Sequence, residues 1–244
     1  MQTHSVVSRD EWLIKRRAVL AREKEAIHLR DAINAERQAL PWVKVDTEYV
    51  FESSEGKKTL AELFDGRSQL VVYHFMLGPD WEAGCPGCSF FSDHVGGMLT
   101  HLNHHDVTFV AVSRAPMDKI AAYKKRMGWQ FPWVSSFGTT FNHDYRVSFS
   151  QDELASGSVD YNYTATPREE AHDELPGLSA FYKDEAGDVF HTYSTYARGL
   201  EDMVGALLLL DRAPLGRNET GPLSWVRRHD EYEEAPKAHA CCAS

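Results

Sequence analysis

Residues 70–77 (LVVYHFML) form an apolar run with Val71, Val72, Tyr73 and Phe75, which predicts a buried strand. Gly78-Pro79-Asp80 stops it. Beyond the stop the period changes. Phe91, Val95, Met98 and Leu102 recur at spacings of 4, 3 and 4, one face of a helix. Residues 107–113 (VTFVAVS) predict a second buried strand, and 116–127 a helix with Ile120, Tyr123 and Met127 on one face and Gly128 as its stop. Phe131-Pro132-Trp133-Val134-Ser135 reads as the next extended piece. Strand–helix–strand–helix alternation implies a parallel core with right-handed crossovers. Farther on, 178–182 and 189–193 predict a hairpin around a Gly-containing turn, and 200–210 a last helix.

The flanks read differently. Ser8 with Glu11 fits a capping box, and a long charged helix follows to about Gln38, before Leu40-Pro41. Leu13, Leu20 and Ile27 share a heptad spacing, with Ile33 near the end of that face. Such a stripe needs a cover: its own domain, or a second copy in a homodimer through this helix. Residues 42–51 (WVKVDTEYVF) predict one strand, 53–57 a turn and 59–64 a short helix. Residues 150–174 are polar and lack a long period, an insertion or long loop. The chain therefore divides into an N-terminal helical arm (1–40), one domain (41–228) and a flexible C-terminal tail (229–244), its last dozen residues reading as disordered.

Composition narrows the classes. With 244 residues, 43% hydrophobic and 25% charged, this is an ordinary globular chain. A net charge of −10 argues against a general binder of nucleic acid or anionic membrane. The start, MQTHSVVSRDEW, lacks the apolar centre of a signal peptide, and no stretch approaches the roughly 18 apolar residues of a membrane span. Four cysteines, two of them at 241 and 242, imply no disulfide framework, so a reducing cytoplasm is the expected compartment.

The chemistry concentrates at Cys85-Pro86-Gly87-Cys88, where the first buried strand hands over to a helix. A helix N-terminus carries unpaired N–H groups and about half a positive charge, which favour a thiolate. Pro86 suits the first helical turn. Cys85, at the cap and nearer solvent, is the expected attacking thiol, and Cys88, one turn in, the resolving one. Both sulfurs are expected at the mouth of the fold, open to a visiting thiol. Asp80 and Glu82 oppose ionisation: at about 8 Å and an effective dielectric near 40, each costs roughly 1 kcal/mol. The two effects are comparable, which leaves the thiol pKa open from sequence. Trp81 is either a rim residue beside the dithiol or a loop aromatic capping the core.

A CxxC that opens a helix, a βα unit, then a Pro before an antiparallel hairpin and a final helix resembles the thioredoxin fold: α/β, a central mixed sheet flanked by helices. Here the fold would carry an N-terminal helical extension and an insertion before the final hairpin. The resemblance makes Pro176 a cis proline beside the dithiol, where Leu175 and Pro176, with Trp81, Pro86 and Gly87, would contact a substrate, the backbone there pairing with an extended one. The words YHFMLGPDWEAGCPGCSFFSDH, VSRAPMDKIAAYKKRMGWQFPWVSSFG, LPGLSAFYKDEAGDVFHTYSTYARG and WVRRHDEY look like a bacterial family of unknown biological role, commonly labelled thioredoxin-like dithiol–disulfide oxidoreductases. That reading expects a disulfide-containing protein or small thiol as substrate; a Gly-rich phosphate loop, a dinucleotide fingerprint and a hydrolase elbow are absent, so no cofactor is implied.

Three rivals remain. The segment 121–135 also resembles peroxiredoxins, whose motif has Pro seven and Thr or Ser three residues before the reactive cysteine. Cys85 has Gly78 and Glu82 there, and Cys88 has Trp81 and Cys85, so neither fits. His94, His101 and His105 share a helix face, with His104 adjacent, and His101 with His105 could share an ion. On a continuous helix, however, His101 lies about 20 Å past Cys88, unless Gly96-Gly97 breaks it. The third rival is a binding module or redox sensor whose dithiol does not turn over, with the N-terminal helix and 150–174 as its surfaces. Cys241 and Cys242 form an adjacent pair with no expected part in catalysis.

Overall fold

Ser8 caps the first helix through both bonds of its box. In the computed structural model, which describes residues 4–167, 169 and 172–232, the Glu11 N–H donates to the Ser8 hydroxyl at 3.3 Å and the Ser8 N–H donates to the Glu11 carboxylate at 3.0 Å. Helix α1 then runs unbroken over Arg9–Gln38, about 45 Å at 1.5 Å per residue. The described residues up to Pro41 form one compact unit, and those from Trp42 a second.

The second unit begins with strands β1 (Val43–Lys44), β2 (Val50–Ser53), β3 (Gly56–Thr59) and β4 (Gln69–His74). Helices α2 (Pro86–Ser92) and α3 (Leu99–His104) lead to β5 (Val107–Ser113), α4 (Met117–Met127), β6 (Trp133–Ser135) and α5 (Phe141–Asp144). Then come α6 (Gln151–Ala155), the hairpin β7 (Ser158–Tyr161) and β8 (Thr164–Pro167), strands β9 (Gly177–Lys183) and β10 (Val189–Tyr196), and α7 (Gly205–Leu210). Eight strands form one sheet in the order β1-β10-β9-β4-β5-β6-β2-β3. Strand β4 lies between parallel β5 and antiparallel β9, and β9 pairs antiparallel with β10. With the CxxC directly after β4, this is the thioredoxin-like fold.

Alternation along β4 sorts the core into two faces. Leu70 and Val72 pack with Phe51, Phe64, Val110 and Phe181. Tyr73, with Phe75 beyond the strand's end, packs with Phe91, Tyr123, Trp129 and Trp133. The dithiol belongs to this second, aromatic face.

Several expected elements differ. The single strand at 42–51 is two, β1 on β10 at one edge and β2 beside β3 and β6 near the other. Polar Asp46-Thr47-Glu48 carries the chain between them. The helix after the CxxC is broken: α2 ends at Ser92, and a 3-10 turn at Gly96–Met98 precedes α3. Two adjacent glycines, each about 1 kcal/mol worse than Ala in a helix, account for the break. The last helix is likewise a 3-10 stretch (Ala197–Met203), an extended Val204 and α7.

The described residues of the polar insertion carry regular structure. A second capping box, Ser150 with Glu153, starts α6, and the β7–β8 hairpin follows. Leu154, Val159 and Tyr161 form a small core with Val147, Phe149, Leu175 and Tyr196. Residues 229–232, expected within a flexible tail, are held by side-chain bonds. His229 Nδ1 bonds the Asp93 carboxylate at 2.7 Å, and Arg126 binds Asp230 at 2.7 Å and Glu231 at 2.9 Å. Residues 233–244, with Cys241 and Cys242, lie outside the described residues. Among the described residues no helix is long and apolar enough to cross a membrane.

His74, at the end of β4, is fully buried; its Nε2 bonds Ser179 Oγ at 2.8 Å and its Nδ1 has no partner among the described residues. Burial lowers its pKa to about 3. The unfolded chain therefore binds a proton between pH 6.5 and 3 that the folded chain refuses, so stability falls as the pH drops through that window. The slope from this residue is about 1.4 kcal/mol per pH unit. His74→Leu should flatten the acid side of the stability curve by that slope, measured by urea unfolding from pH 7 to 4.5. An unchanged slope would assign the acid sensitivity elsewhere.

Candidate active site

The turn into the dithiol is held from both sides. After β4 the chain stays extended, with the Phe75 N–H donating to Val112 O at 2.9 Å, and the loop returns so that the Cys85 N–H donates to Met76 O at 3.1 Å. Gly84 is buried in the return. A Cβ built there would lie 2.6 Å from Phe75 Cε1 and 2.7 Å from Tyr123 Cε1, so only Gly fits between the rings. Its carbonyl accepts two bonds from Arg228, Nε at 2.9 Å and Nη2 at 2.7 Å. Glu231 in turn accepts from Arg228 Nη1 at 2.8 and 3.0 Å.

Cys85 is the N-cap of α2, with Pro86 in the first turn. Its carbonyl accepts from both the N–H and the hydroxyl of Ser89, each at 2.9 Å. Both cysteines are free thiols. The Cys85 pKa is lowered to about 6: a hydrogen bond from the Cys88 thiol is the largest cause, joined by the N–H groups of Cys88 and Gly87 and the charge of Arg228, against the opposing effect of burial. Burial pushes the Cys88 thiol far up, and the neighbouring Cys85 pushes it further. Two donors soften this: the Tyr73 hydroxyl and the Met76 N–H, the latter 3.5 Å from Cys88 Sγ. Asp80 and Glu82, the feared opponents, are exposed.

Beside the sulfurs lies an apolar cleft of about 260 Å³. Tyr73, Phe90, Phe91, Leu200, Val204 and Leu223 contribute to its lining. Arg198 and Glu201, its charged members, pair with each other at 2.9 Å.

Of the residues expected at the site, Cys85, Cys88, Gly87 and Pro176 line this cleft. Pro86 sits half-buried in the first turn of α2. Cys88 is only 2% exposed, so the expectation of two open sulfurs holds for Cys85 alone; the second thiol lies in the run Cys88–Ser92, which is buried throughout, with Phe90 and Phe91 in the core. Trp81 does not line the cleft. Its ring lies over Gly78, where a built Cβ would be 2.9 Å away, and it caps the core. Leu175 turns into the core of the insertion. The Leu175–Pro176 bond is trans, not cis. Arg228 was missed, since nothing local links it to Cys85; its one trace is the word WVRRHDEY.

The histidine face does not gather. His94 lies before the helix break, with Nδ1 on Phe90 O at 2.7 Å and Nε2 accepting the Ala206 N–H at 3.2 Å. His101, His104 and His105 are exposed beyond it. Among the described residues no three His, Cys, Asp or Glu side chains stand together as metal ligands.

A family described as "Bacterial protein of unknown function (DUF899)" matches residues 1–232. The chain belongs to this family. No curated protein matches it. Similar solved structures include the peroxidoxin BcpB from Mycobacterium tuberculosis, at 14% identity over 70% of this chain and 97% of that one, TM-score 0.43. Peroxiredoxin Q from Xanthomonas campestris matches at 13% over 66% and 89%, TM-score 0.40. The mitochondrial 2-Cys peroxiredoxin from Plasmodium falciparum matches at 14% over 74% and 96%, TM-score 0.38.

Two outcomes follow from the held turn. Gly84→Ala should destabilise the protein by about 1–3 kcal/mol in denaturant unfolding, because neither ring can retreat; a neutral substitution would show that the loop is loose. Arg228→Met should shift the midpoint of Cys85 alkylation upward from about 6, by up to roughly one unit. An unmoved midpoint in iodoacetamide rates from pH 4 to 9 would remove Arg228 from the site.

Proposed function

We propose that this protein is a thiol–disulfide oxidoreductase whose Cys85–Cys88 dithiol cycles with a disulfide. The observation that carries the reading is the split between the two thiols: Cys85 at the cleft with a depressed pKa, Cys88 buried with a raised one. A pKa near 6 leaves about nine-tenths of Cys85 as thiolate at pH 7. The Cys85 thiolate attacks a substrate disulfide RS–SR. The S–S bond breaks, RS⁻ departs and takes a proton, and a Cys85–SR mixed disulfide remains.

That bond removes the charge on Cys85 and its hydrogen bond with Cys88, which together with burial hold the Cys88 proton in place. The Cys88 thiol then ionises, helped by the Tyr73 hydroxyl and the Met76 N–H, and attacks Cys85 Sγ. A second RSH leaves and the Cys85–Cys88 disulfide forms, two electrons having passed to the substrate. In a reducing cytoplasm the resting form would be the dithiol.

Cys85→Ser should abolish reduction of a general disulfide substrate. Cys88→Ser should retain the first attack and accumulate the mixed disulfide, seen as a mass increase of one RS group. If both variants reduce the substrate as the wild type does, the enzyme reading fails and a binding module takes its place. In the wild type, Cys85 alkylation should rise with pH to a midpoint near 6; a midpoint near 9 would contradict the activated thiol.

A further inference from the structure

An extended polypeptide bound beside a dithiol needs free main-chain donors and acceptors to pair with, as any added strand does. Here three main-chain groups of residues 173–176 are already taken. The Phe149 N–H donates to Asp173 O at 3.1 Å and the Leu175 N–H to Val147 O at 2.9 Å. Ser148 and Glu174 form the antiparallel bridge between these bonds. The Pro176 carbonyl accepts the Tyr161 hydroxyl at 2.7 Å. From Gly177 the chain is inside the sheet, between β4 and β10. The chain's own residues 147–149 and the β7 tyrosine thus cover one side of this segment, where an added strand would otherwise pair.

The ladder is fastened as well as formed. Glu174 is 1% exposed; it accepts the Ser148 hydroxyl at 2.9 Å and binds the Arg114 guanidinium. What stays open at Cys85 is the cleft, apolar and, at about 260 Å³, below the roughly 300–1,000 Å³ of pockets for drug-sized molecules.

Resting on the dithiol reading, we infer that the substrate is a low-molecular-weight disulfide with an apolar substituent, and not an extended polypeptide. The reaction is the exchange written above. The apolar group occupies the cleft beside Phe90, Leu200 and Leu223, and the scissile S–S bond meets Cys85.

The test is a single turnover of the reduced full-length protein without added reductant, followed by mass spectrometry of the Cys85–Cys88 disulfide. The substrates are dipropyl disulfide, bis(2-hydroxyethyl) disulfide and an extended peptide bridged by one cystine. Each rate is divided by that of glutathione thiolate with the same disulfide, which cancels leaving-group differences. Dipropyl disulfide should lead both others by tenfold or more. A peptide rate equal to or above it would overturn the substrate class while leaving the dithiol reading intact, and so would parity between the two small disulfides. No oxidation by any of the three, nor by dithiobis(nitrobenzoate), would overturn both. Independently, the Leu175 amide should be protected from hydrogen exchange in the native protein; exchange at the rate of an open loop would show that the edge is free.

Discussion

The chain can cross from β4 into α2 only if residue 84 has no side chain. The backbone there passes between Phe75 and Tyr123, where a Cβ would meet either ring at under 3 Å. Packing this tight fixes where the Gly84 carbonyl points, and Arg228 meets it with two donors. The guanidinium is thereby anchored one residue from Cys85, and its charge acts on the thiolate. Arg228 is itself held by Glu231, and the same last turn is tied to α4 through Arg126 and to the end of α2 through Asp93 and His229. Trp225 and Val226, just before it, pack on the aromatic face, Trp225 at 5.5 Å from Phe90. A segment with the composition of a tail is part of the frame around the dithiol.

Magnitude decides which effect sets the reactive thiol. Moving Cys85 from 9 to about 6 corresponds to about 4 kcal/mol. A helix terminus supplies 0.3 to about 1 kcal/mol when exposed, and α2 has only seven residues. Two solvated carboxylates at loop distance act with similar strength in the other direction. Neither is large enough. Hydrogen bonding to the thiolate is the larger effect: the Cys88 thiol first, then two backbone N–H groups, with the charge of Arg228 adding to them. The split needs one sulfur at the cleft and its neighbour inside, which the strand-to-helix handover provides without further design.

This explains what could be read from the chain and what could not. Strand β5 has the bounds its apolar run predicts, 107–113, because a buried parallel strand needs no information beyond its own residues. The cap of α1 and the αL stop at Gly128 are equally local. The role of Arg228 is not local: it lies 144 residues from Gly84, and only the closed fold brings them together. Residues 42–51 misled because two short strands for opposite edges read as one alternating run. In 150–174, Val159 and Tyr161 alternate over too few residues to stand out from their polar surroundings, so a ladder-forming hairpin resembled a loop. Trp81 had two places open to it, and the space above a side-chain-free Gly78 settled the matter.

The bridge between Ser148 and Glu174 also fixes the energetic terms on which a guest could enter. To add a strand on this side of the segment before Pro176, a guest must break the two main-chain bonds to residues 147 and 149 and pull apart a carboxylate contact buried at 1% exposure. Burial already pushes the Glu174 carboxyl up to about 7 against the pull of Arg114 and Ser148, so those partners are not dispensable. Breaking such a contact costs several kcal/mol, and the guest would regain only bonds like those lost, worth about 1 kcal/mol each. A small apolar molecule faces no such exchange. It displaces solvent from Phe90, Leu200 and Leu223 and gains about 25 cal/mol for each Å² it covers. With the same sulfur waiting at the end of either route, the difference in what must first be broken selects the visitor.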